Sequence, residues 1–260
     1  MMALTYAEYL QLTELLDLQR PRSDPPEHDE MLFIVIHQVY EIWFKLVLHE
    51  TDKLGDDLRS GELFVAIATL KRIRTIVKTL VAQLDILETM TPLSFASFRE
   101  RLETASGFQS SQFREVEFAF GYKRSSLVAE GSPVSDRRAL QARLVAPSVM
   151  DHLYRFLANR GVIVPPDLLS RDVSQPTEAS PDLQEQILRT YHEQPELVLL
   201  FELLLDLDEG FQEWRYRHVK LVERTIGAKH GTGGSAGVEF LKRSLFTPLF
   251  PDLWAVRHQM

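Results

Sequence analysis

Apolar residues recur every three or four positions along most of this chain of 260 residues. The longest such run lies between Glu62 and Thr89, and its apolar positions are Phe64, Ile67, Leu70, Ile73, Ile76, Val77, Leu80, Leu84 and Leu87. This spacing places them on one face of an α-helix. No stretch alternates apolar and polar residues with the period of two that a half-buried strand requires, so we expect no substantial sheet. The pattern therefore predicts an all-α fold.

Prolines, glycines and polar clusters divide the pattern into separate helices. A first helix is expected from Tyr6 to Leu16, before the proline-rich segment 21–26, and a second from His28 to the region of Gly55. The other predicted helices are 62–89, a short one over 92–99, 109–122, 136–144, 147–158, 182–192 and 195–226, with an irregular surface segment at 161–181. Because no low-complexity linker or internal repeat interrupts them, residues 1–260 are predicted to form one helical-bundle domain.

The composition restricts the possible partners. The chain has 29 basic and 37 acidic residues and a net charge of −8, which argues against broad electrostatic binding to nucleic acid or to an anionic membrane. The absence of cysteine excludes disulfides, thiolate metal ligands, a cysteine nucleophile and covalent haem attachment. We find neither a signal-peptide pattern nor an uninterrupted apolar run long enough to span a bilayer. A cytoplasmic protein that binds a small molecule is therefore expected.

Two histidines lie in segments that are predicted to be helical. His218 comes four residues after Trp214, so both share one helix face. His37 lies among isoleucines and valines, where desolvation would lower its pKa and favour the neutral ring. Each could be an ordinary core histidine, and His37 with the carboxylates of Glu41 and Glu30 could instead form a non-haem iron site if a second histidine came near.

A glycine-rich run, Gly231 to Gly237, follows the last long predicted helix. Glycines allow a loop to fold closely over a ligand. A phosphate-binding loop of the Walker type is not indicated, because that loop follows a strand and ends in Lys-Ser or Lys-Thr. Anion binding at the start of the following helix stays open. The run therefore predicts a loop that closes a ligand site.

Five segments together are similar to one enzyme family. They are residues 28–45, residues 88–92 taken together with 98–100, residues 106–110, the sequence Trp-Arg-Tyr-Arg-His at 214–218 and the glycine-rich run 231–237. In this order they resemble the tryptophan 2,3-dioxygenase family, and the similarity extends from Tyr6 to the region of Pro251. The resemblance implies an intimately packed all-α homotetramer with one non-covalent haem b per subunit. It further implies that dioxygen cleaves the indole C2–C3 bond of L-tryptophan to give N-formylkynurenine, the first step of the kynurenine pathway.

The resemblance also implies roles for individual residues at the cofactor and the substrate. His218 matches the axial ligand of the haem iron, with Trp214 beside the cofactor. His37 matches the distal histidine, which contacts the indole N–H without binding iron; this makes it the catalytic candidate, with a role as a base left open. Phe33 would pack the indole ring. Arg99 would bind the amino-acid carboxylate, for which a guanidinium is suited. Without the resemblance, an arginine at this position would be interpreted as a solvated surface charge. The family's loop threonine, which binds the carboxylate and ammonium groups, corresponds to Thr232.

Further positions follow from the same resemblance. Tyr6, Tyr9 and Leu10 match residues of the N-terminal helix that wall the active site of a neighbouring subunit. Phe95 occupies a position where family members carry Tyr or Phe, so no phenolic contact to the substrate is expected there. Ala236 replaces a common Ser, which removes one possible hydrogen bond near a haem propionate.

Three other functions fit parts of the pattern. Relatives of this fold hydroxylate indoles or aromatic amino acids and so transfer one oxygen atom. A haem or tryptophan sensor would bind its ligand without turnover. A non-haem iron protein would use His37 with carboxylates and show no Soret absorption. The combination of Arg99, Thr232 and His37 favours an amino-acid substrate and the dioxygenase.

Overall fold

The computed structural model describes residues 3–129, 134–233 and 237–260, and no strand occurs among them. Thirteen α-helices lie in these residues: α1 Tyr6–Leu10, α2 Leu12–Leu16, α3 His28–Arg59, α4 Leu63–Leu87, α5 Pro92–Arg99, α6 Ser111–Ala119, α7 Arg137–Val145, α8 Val149–Asn159, α9 Pro166–Leu169, α10 Pro181–Glu193, α11 Pro195–Ile226, α12 Val238–Lys242 and α13 Pro251–Ala255. The predicted all-α fold is thus confirmed.

Three long helices, α3, α4 and α11, form the centre of the molecule. Helix α4 packs against both α3 and α11, and its predicted apolar positions are buried, with Leu70 and Ile73 fully inaccessible to solvent. Phe64 is the exception, because it lies in the first turn of α4 and is 75% exposed. One continuous apolar core joins these helices to parts of α5, α6, α8, α10 and α13. Apart from Phe64, the sequence pattern located the core-forming face of α4 correctly, because among the described residues, which contain no strand, an apolar helix stripe is buried against other helices.

The N-terminal helix differs from its prediction. Gln11 adopts a left-handed conformation, with φ of 53°, and splits the expected helix into α1 and α2. Thr5 and Glu8 form a capping box that starts α1. Neither short helix buries a residue, so among residues 3–129, 134–233 and 237–260 no core packing holds the predicted single helix straight.

Other differences involve short elements. Helices α12 and α13 were not predicted, and the segment predicted to be irregular contains the one-turn helix α9. Helix α13 begins at Pro251, and Asp208 of α11 anchors this part of the chain. The Asp208 carboxylate accepts hydrogen bonds from the Leu249 and Phe250 amides at 2.8 and 3.1 Å and from Trp254 Nε1 at 2.9 Å. Such a tertiary anchor leaves no periodic signal in sequence.

Helix α3 is apolar enough to resemble a membrane span. Its most apolar window of 18 residues reaches a mean hydropathy of 1.6, although polar residues such as His37, Gln38 and Glu41 interrupt the apolar run. The same helix carries buried carboxylates, and Glu50 pairs with Arg72 of α4 at 3.0 Å. Core helices of soluble proteins pass the same length and composition test, so this feature alone does not indicate a membrane.

Candidate functional site

A cavity of about 480 Å³ lies between the long helices, a size typical of small-molecule sites. Helix α3 contributes His37 and Phe33, α5 contributes Phe95 and Arg99, and α11 contributes Trp214 and His218. Thr232 of the glycine-rich segment also lines it. The structure therefore brings together, around one space, residues that lie as far apart as positions 33 and 232.

The orientation of His37 is fixed from within its own helix. Its Nδ1 lies 2.7 Å from the Phe33 carbonyl oxygen, and because a carbonyl can only accept, Nδ1 carries the proton. This tautomer leaves the Nε2 lone pair available as an acceptor. Burial lowers the pKa of His37, although the Phe33 carbonyl and Glu41 favour the charged ring. His37 is therefore a neutral hydrogen-bond acceptor at neutral pH.

His218 is held by stacking. Its ring lies nearly parallel to that of Trp214, with centroids 5.0 Å apart and an interplanar angle of 12°. Trp214 is itself enclosed by the rings of Tyr40, Phe44 and Phe113. Burial lowers the pKa of His218 to about 4, with smaller contributions from His37 and Arg114. In the described part of the chain no hydrogen bond occupies either ring nitrogen, so the neutral imidazole can act as a ligand.

An aromatic wall lies beside His37. The Phe33 ring is 4.0 Å from the His37 ring and 5.7 and 5.6 Å from Phe95 and Phe98, measured between centroids. Phe98 is fully buried and Phe95 is 8% exposed. Tilted and edge-on contacts of this kind keep the rings in place, so this wall can receive a flat aromatic group. Phe95 has no hydroxyl to add to it.

Arg99 and Thr232 bind the backbone of neighbouring loops. Arg99 Nη2 donates to the His230 carbonyl oxygen at 2.8 Å, and Thr232 Oγ1 donates to the Ala105 carbonyl oxygen. A Cβ atom on Gly233 would come within 2.7 Å of Ser106 Cβ, so only glycine allows this close approach. The segment before Gly233 therefore lies directly against residues 104–106 at the edge of the cavity.

Several predicted positions are elsewhere or outside the described residues. Tyr6, Tyr9 and Leu10 are 74, 73 and 40% exposed and do not line the cavity of their own chain. Ala236 and Gly234 lie outside the described residues. Without the family resemblance, Tyr6, Tyr9 and Leu10 would be ordinary core or interface residues, and their exposure leaves them free to contact another surface.

A cluster of charges at the cavity was predicted only in part: Arg215 and Arg217 of the 214–218 motif could pair with haem propionates or lie on a solvated face, but Arg114, Arg124 and Glu117 were missed. Arg114, Arg124 and Arg215 line the cavity and surround the buried carboxylate of Glu117. The three guanidinium groups hold the pKa of Glu117 below its ordinary value despite burial. The available signal was Glu117 itself, a charged residue inside the apolar stretch Val-Glu-Phe-Ala-Phe at 116–120. Arg217, in contrast, does not line the cavity and forms ion pairs with Asp85 at 2.7 Å and Glu88 at 3.0 Å.

The carboxylates considered for a non-haem iron site are bound to protein groups. Glu30 accepts from the amides of Arg22 and Ser23 at 2.7 and 2.9 Å. Glu41 accepts from Gln112 Nε2 at 2.8 Å. Among the described residues no three His, Asp or Glu side chains converge as a metal-binding group. The ligand set that this alternative needs is therefore not assembled around His37.

Comparison with known proteins gives consistent matches over the chain. The family model described as tryptophan 2,3-dioxygenase matches residues 1–136 and 182–260. A protein of Herpetosiphon aurantiacus with that name is 54% identical over 98% of this chain and 98% of its own length. Tryptophan 2,3-dioxygenases of Anaeromyxobacter sp. strain K and Kineococcus radiotolerans are 54% and 44% identical, over 98% and 99% of this chain and 96% and 91% of their own lengths.

Proposed function

The chain belongs to the tryptophan 2,3-dioxygenase family, which oxidises L-tryptophan to N-formylkynurenine, and we propose that its central cavity holds haem b and the substrate side by side. The observation that carries this assignment is the pair His37 and His218, two neutral imidazoles from different helices that face one cavity. We assign residues 1–260 to one catalytic domain that acts in the cytoplasm.

The residues at one end of the cavity fit a non-covalent haem. His218 offers a neutral ring nitrogen without a competing hydrogen bond, as an axial ligand requires. Arg114, Arg124 and Arg215 outnumber the single carboxylate of Glu117, so two positive charges remain for a dianionic group. Haem carries two carboxylates, and it supplies, when bound, the iron that activates dioxygen. Trp214 supports the cofactor side by stacking on His218.

The residues at the other end fit an amino acid with a flat ring. Arg99 is suited to bind the carboxylate of tryptophan through two parallel hydrogen bonds. Thr232 would add a hydrogen bond from the glycine-rich loop to the carboxylate and ammonium groups. In the structure both side chains donate to backbone carbonyls, which a substrate carboxylate would replace with a stronger, charge-assisted bond.

His37 and Phe33 would orient the indole. The Nε2 lone pair of His37 is the acceptor that an indole N–H needs. The ring of Phe33 would pack the indole face, with Phe95 closing the wall by apolar contact alone. Because the substrate is held at its carboxylate and at its ring N–H, the C2–C3 bond has one orientation relative to the cofactor. Positioning is therefore the main contribution of these side chains.

The assembly that we propose is a homotetramer. Exposed apolar residues such as Tyr6, Tyr9 and Leu10 on the N-terminal helices would complete the active site of a neighbouring subunit. Met31 and Ile42 of α3 are also exposed and would be covered in such an assembly. Apolar surfaces of this kind are costly in water and are typical of interfaces.

The assay that tests this function combines haem binding with product analysis. The protein reconstituted with haem and reduced by dithionite should show a Soret band and, with L-tryptophan under air, form N-formylkynurenine. With isotope-labelled dioxygen both labelled atoms should appear in the product. One labelled atom would identify a hydroxylase, a Soret band without product would identify a sensor, and failure to bind haem would refute the role of His218.

A further inference from the structure

The carboxylate of Glu117 lies at the centre of the arginine cluster and is 3% exposed. Its Oε2 atom accepts from Arg114 Nη1 at 2.9 Å and from Arg124 Nη2, and its Oε1 atom accepts from Arg215 Nη2 at 3.4 Å. These arginines come from α6, from the segment after α6 and from α11. One carboxylate therefore joins three separate parts of the chain.

Few other polar groups orient these arginines. Arg215 has one more partner, the Thr247 carbonyl oxygen at 2.9 Å from Nη1. The Nε atoms of Arg114, Arg124 and Arg215 are buried and find no hydrogen-bond partner in the part of the chain that the structure describes. Aromatic rings provide the remaining contacts, with the Tyr122 ring 4.6 Å from the Arg124 guanidinium carbon and 5.3 Å from that of Arg215. A ring contact limits where a guanidinium lies but does not direct its N–H groups. For Arg114 and Arg124 that direction is left to Glu117, and for Arg215 it is shared with the Thr247 carbonyl.

The charge balance of the cluster is unfavourable without a ligand. Three guanidinium groups around one carboxylate leave two positive charges in a buried setting, where an unpaired charge is costly. Burial lowers the pKa of Arg124, which indicates how poorly solvated that guanidinium is. A group with two negative charges at the cavity surface would neutralise the surplus. This requirement matches the two carboxylates of the haem that the proposed function places here.

We propose that Glu117 is a positioning residue for the cofactor. Its hydrogen bonds to Arg114, Arg124 and Arg215 direct the free N–H groups of these arginines toward the haem propionates. The inference rests on the proposed function, since it needs haem in this cavity. Glu117 is not in contact with the cavity itself, because it is not among the lining residues. Its effect on haem must therefore pass through the arginines.

The test is the rate at which the holoenzyme releases haem to an excess of apomyoglobin. Glu117→Gln removes the negative charge and keeps the shape, whereas Glu117→Asp keeps the charge and shortens the reach. Glu115→Gln, two residues away on the same helix and outside the cavity lining, is the matched control. We expect release to be about tenfold to a hundredfold faster for Glu117→Gln, the range seen when outer-shell partners of a bound metal are removed. Glu117→Asp should show a smaller increase and Glu115→Gln none.

A purely electrostatic role predicts the opposite sign. Removal of the carboxylate leaves three positive charges, which would bind the propionates more strongly and slow release if the arginines kept their places. Unchanged or slower release in Glu117→Gln would therefore overturn the proposal. Since breaking a buried ion pair is destabilising, that variant could fail to fold; the comparison then rests on Glu117→Asp, for which release equal to the wild-type rate overturns it.

A second measurement locates the effect at the propionates. Haem dimethyl ester lacks the two negative charges, so its release should differ little between the wild-type protein and the Glu117 variants. An equally large increase with the ester would mean that Glu117 acts on general stability, and this result would also overturn the proposal. Failure of the wild-type protein to bind haem would instead refute the proposed function, so the two failures are distinguishable.

Discussion

The two ends of the cavity are built in different ways. At the cofactor end, His218 and Trp214 lie on the 32-residue helix α11, and the arginines there are joined by a buried carboxylate. At the substrate end, Arg99 is the last residue of the short helix α5 and Thr232 lies in a loop. Both of these side chains bind backbone carbonyls of neighbouring loops. The cofactor end is fixed by the core, whereas the two groups for the amino-acid carboxylate are held by bonds that a ligand can replace.

This difference corresponds to two kinds of ligand. A cofactor that stays bound benefits from groups that are ordered before it arrives, because less conformational entropy is lost on binding. A substrate that enters and leaves at each turnover needs groups that can exchange partners. Replacing the His230 carbonyl by a carboxylate at Arg99 exchanges one hydrogen bond for a charge-assisted one and leaves the core packing untouched.

The largest effect is expected at the fixed end. His218→Ala should lower haem retention and turnover by at least about a hundredfold, because loss of an outer-shell partner alone costs ten- to a hundredfold and this change removes the ligand itself. The measurement is the Soret spectrum and the rate of product formation, with and without added imidazole. His49→Ala, an exposed histidine on α3, is the control. Wild-type turnover in His218→Ala would place the iron elsewhere.

A smaller loss is expected at Arg99. Arg99→Ala should raise the KM for tryptophan and lower kcat/KM by about tenfold to a hundredfold, since a hydrogen bond to a charged group contributes about 1.5–3 kcal/mol. Arg99→Lys should recover part of this loss as a point charge without the paired geometry. Arg101→Ala removes an exposed neighbouring arginine and serves as the control. If Arg99→Ala left KM unchanged, Arg99 would not be the carboxylate clamp.

The parts of the fold and of the site that could be predicted from the sequence are those set by local patterns. The 3.6-residue pattern predicted the long helices, and α11 begins and ends where expected, at Pro195 and Ile226. Motifs pointed to His37, His218, Arg99 and Thr232, and the structure brings all four to one cavity. Periodicity cannot show which distant charges meet, so the arrangement of arginines around Glu117 emerged only from the three-dimensional packing. The break at Gln11 was missed because a single left-handed residue has no periodic signature.

Thr232 should contribute less than Arg99, because it offers a neutral hydroxyl. Thr232→Val, which keeps the shape and removes the donor to the Ala105 carbonyl, should lower kcat/KM for tryptophan about two- to tenfold, the equivalent of about 0.5–1.5 kcal/mol. Thr232→Ser retains the hydroxyl and should stay near the wild-type value. Steady-state kinetics of the two variants separate the hydroxyl from the methyl group. A loss of equal size in both would assign the effect to the packing of the loop.

The smallest expected effect is a change in the acid dependence of stability, and it compares two glutamates of α6. Arginines hold the pKa of Glu117 below its ordinary 4.5, whereas burial raises that of Glu115 above it. Glu117 therefore contributes stability that is present above pH 4.5 and is lost as the pH falls toward its folded pKa. Glu115 has the opposite sign, because stability is lost as the pH rises from 4.5 through its raised pKa.

Denaturant unfolding between pH 3 and 7 should detect this contrast. Each group changes the free energy of unfolding by at most about 1.4 kcal/mol per pH unit. Glu117→Gln should flatten the fall below pH 4.5, and Glu115→Gln should flatten the opposing slope above it. If Glu117→Gln left the acid limb of the profile unchanged, the carboxylate would not be ionised in the folded protein, and the arginine cluster would carry three uncompensated positive charges.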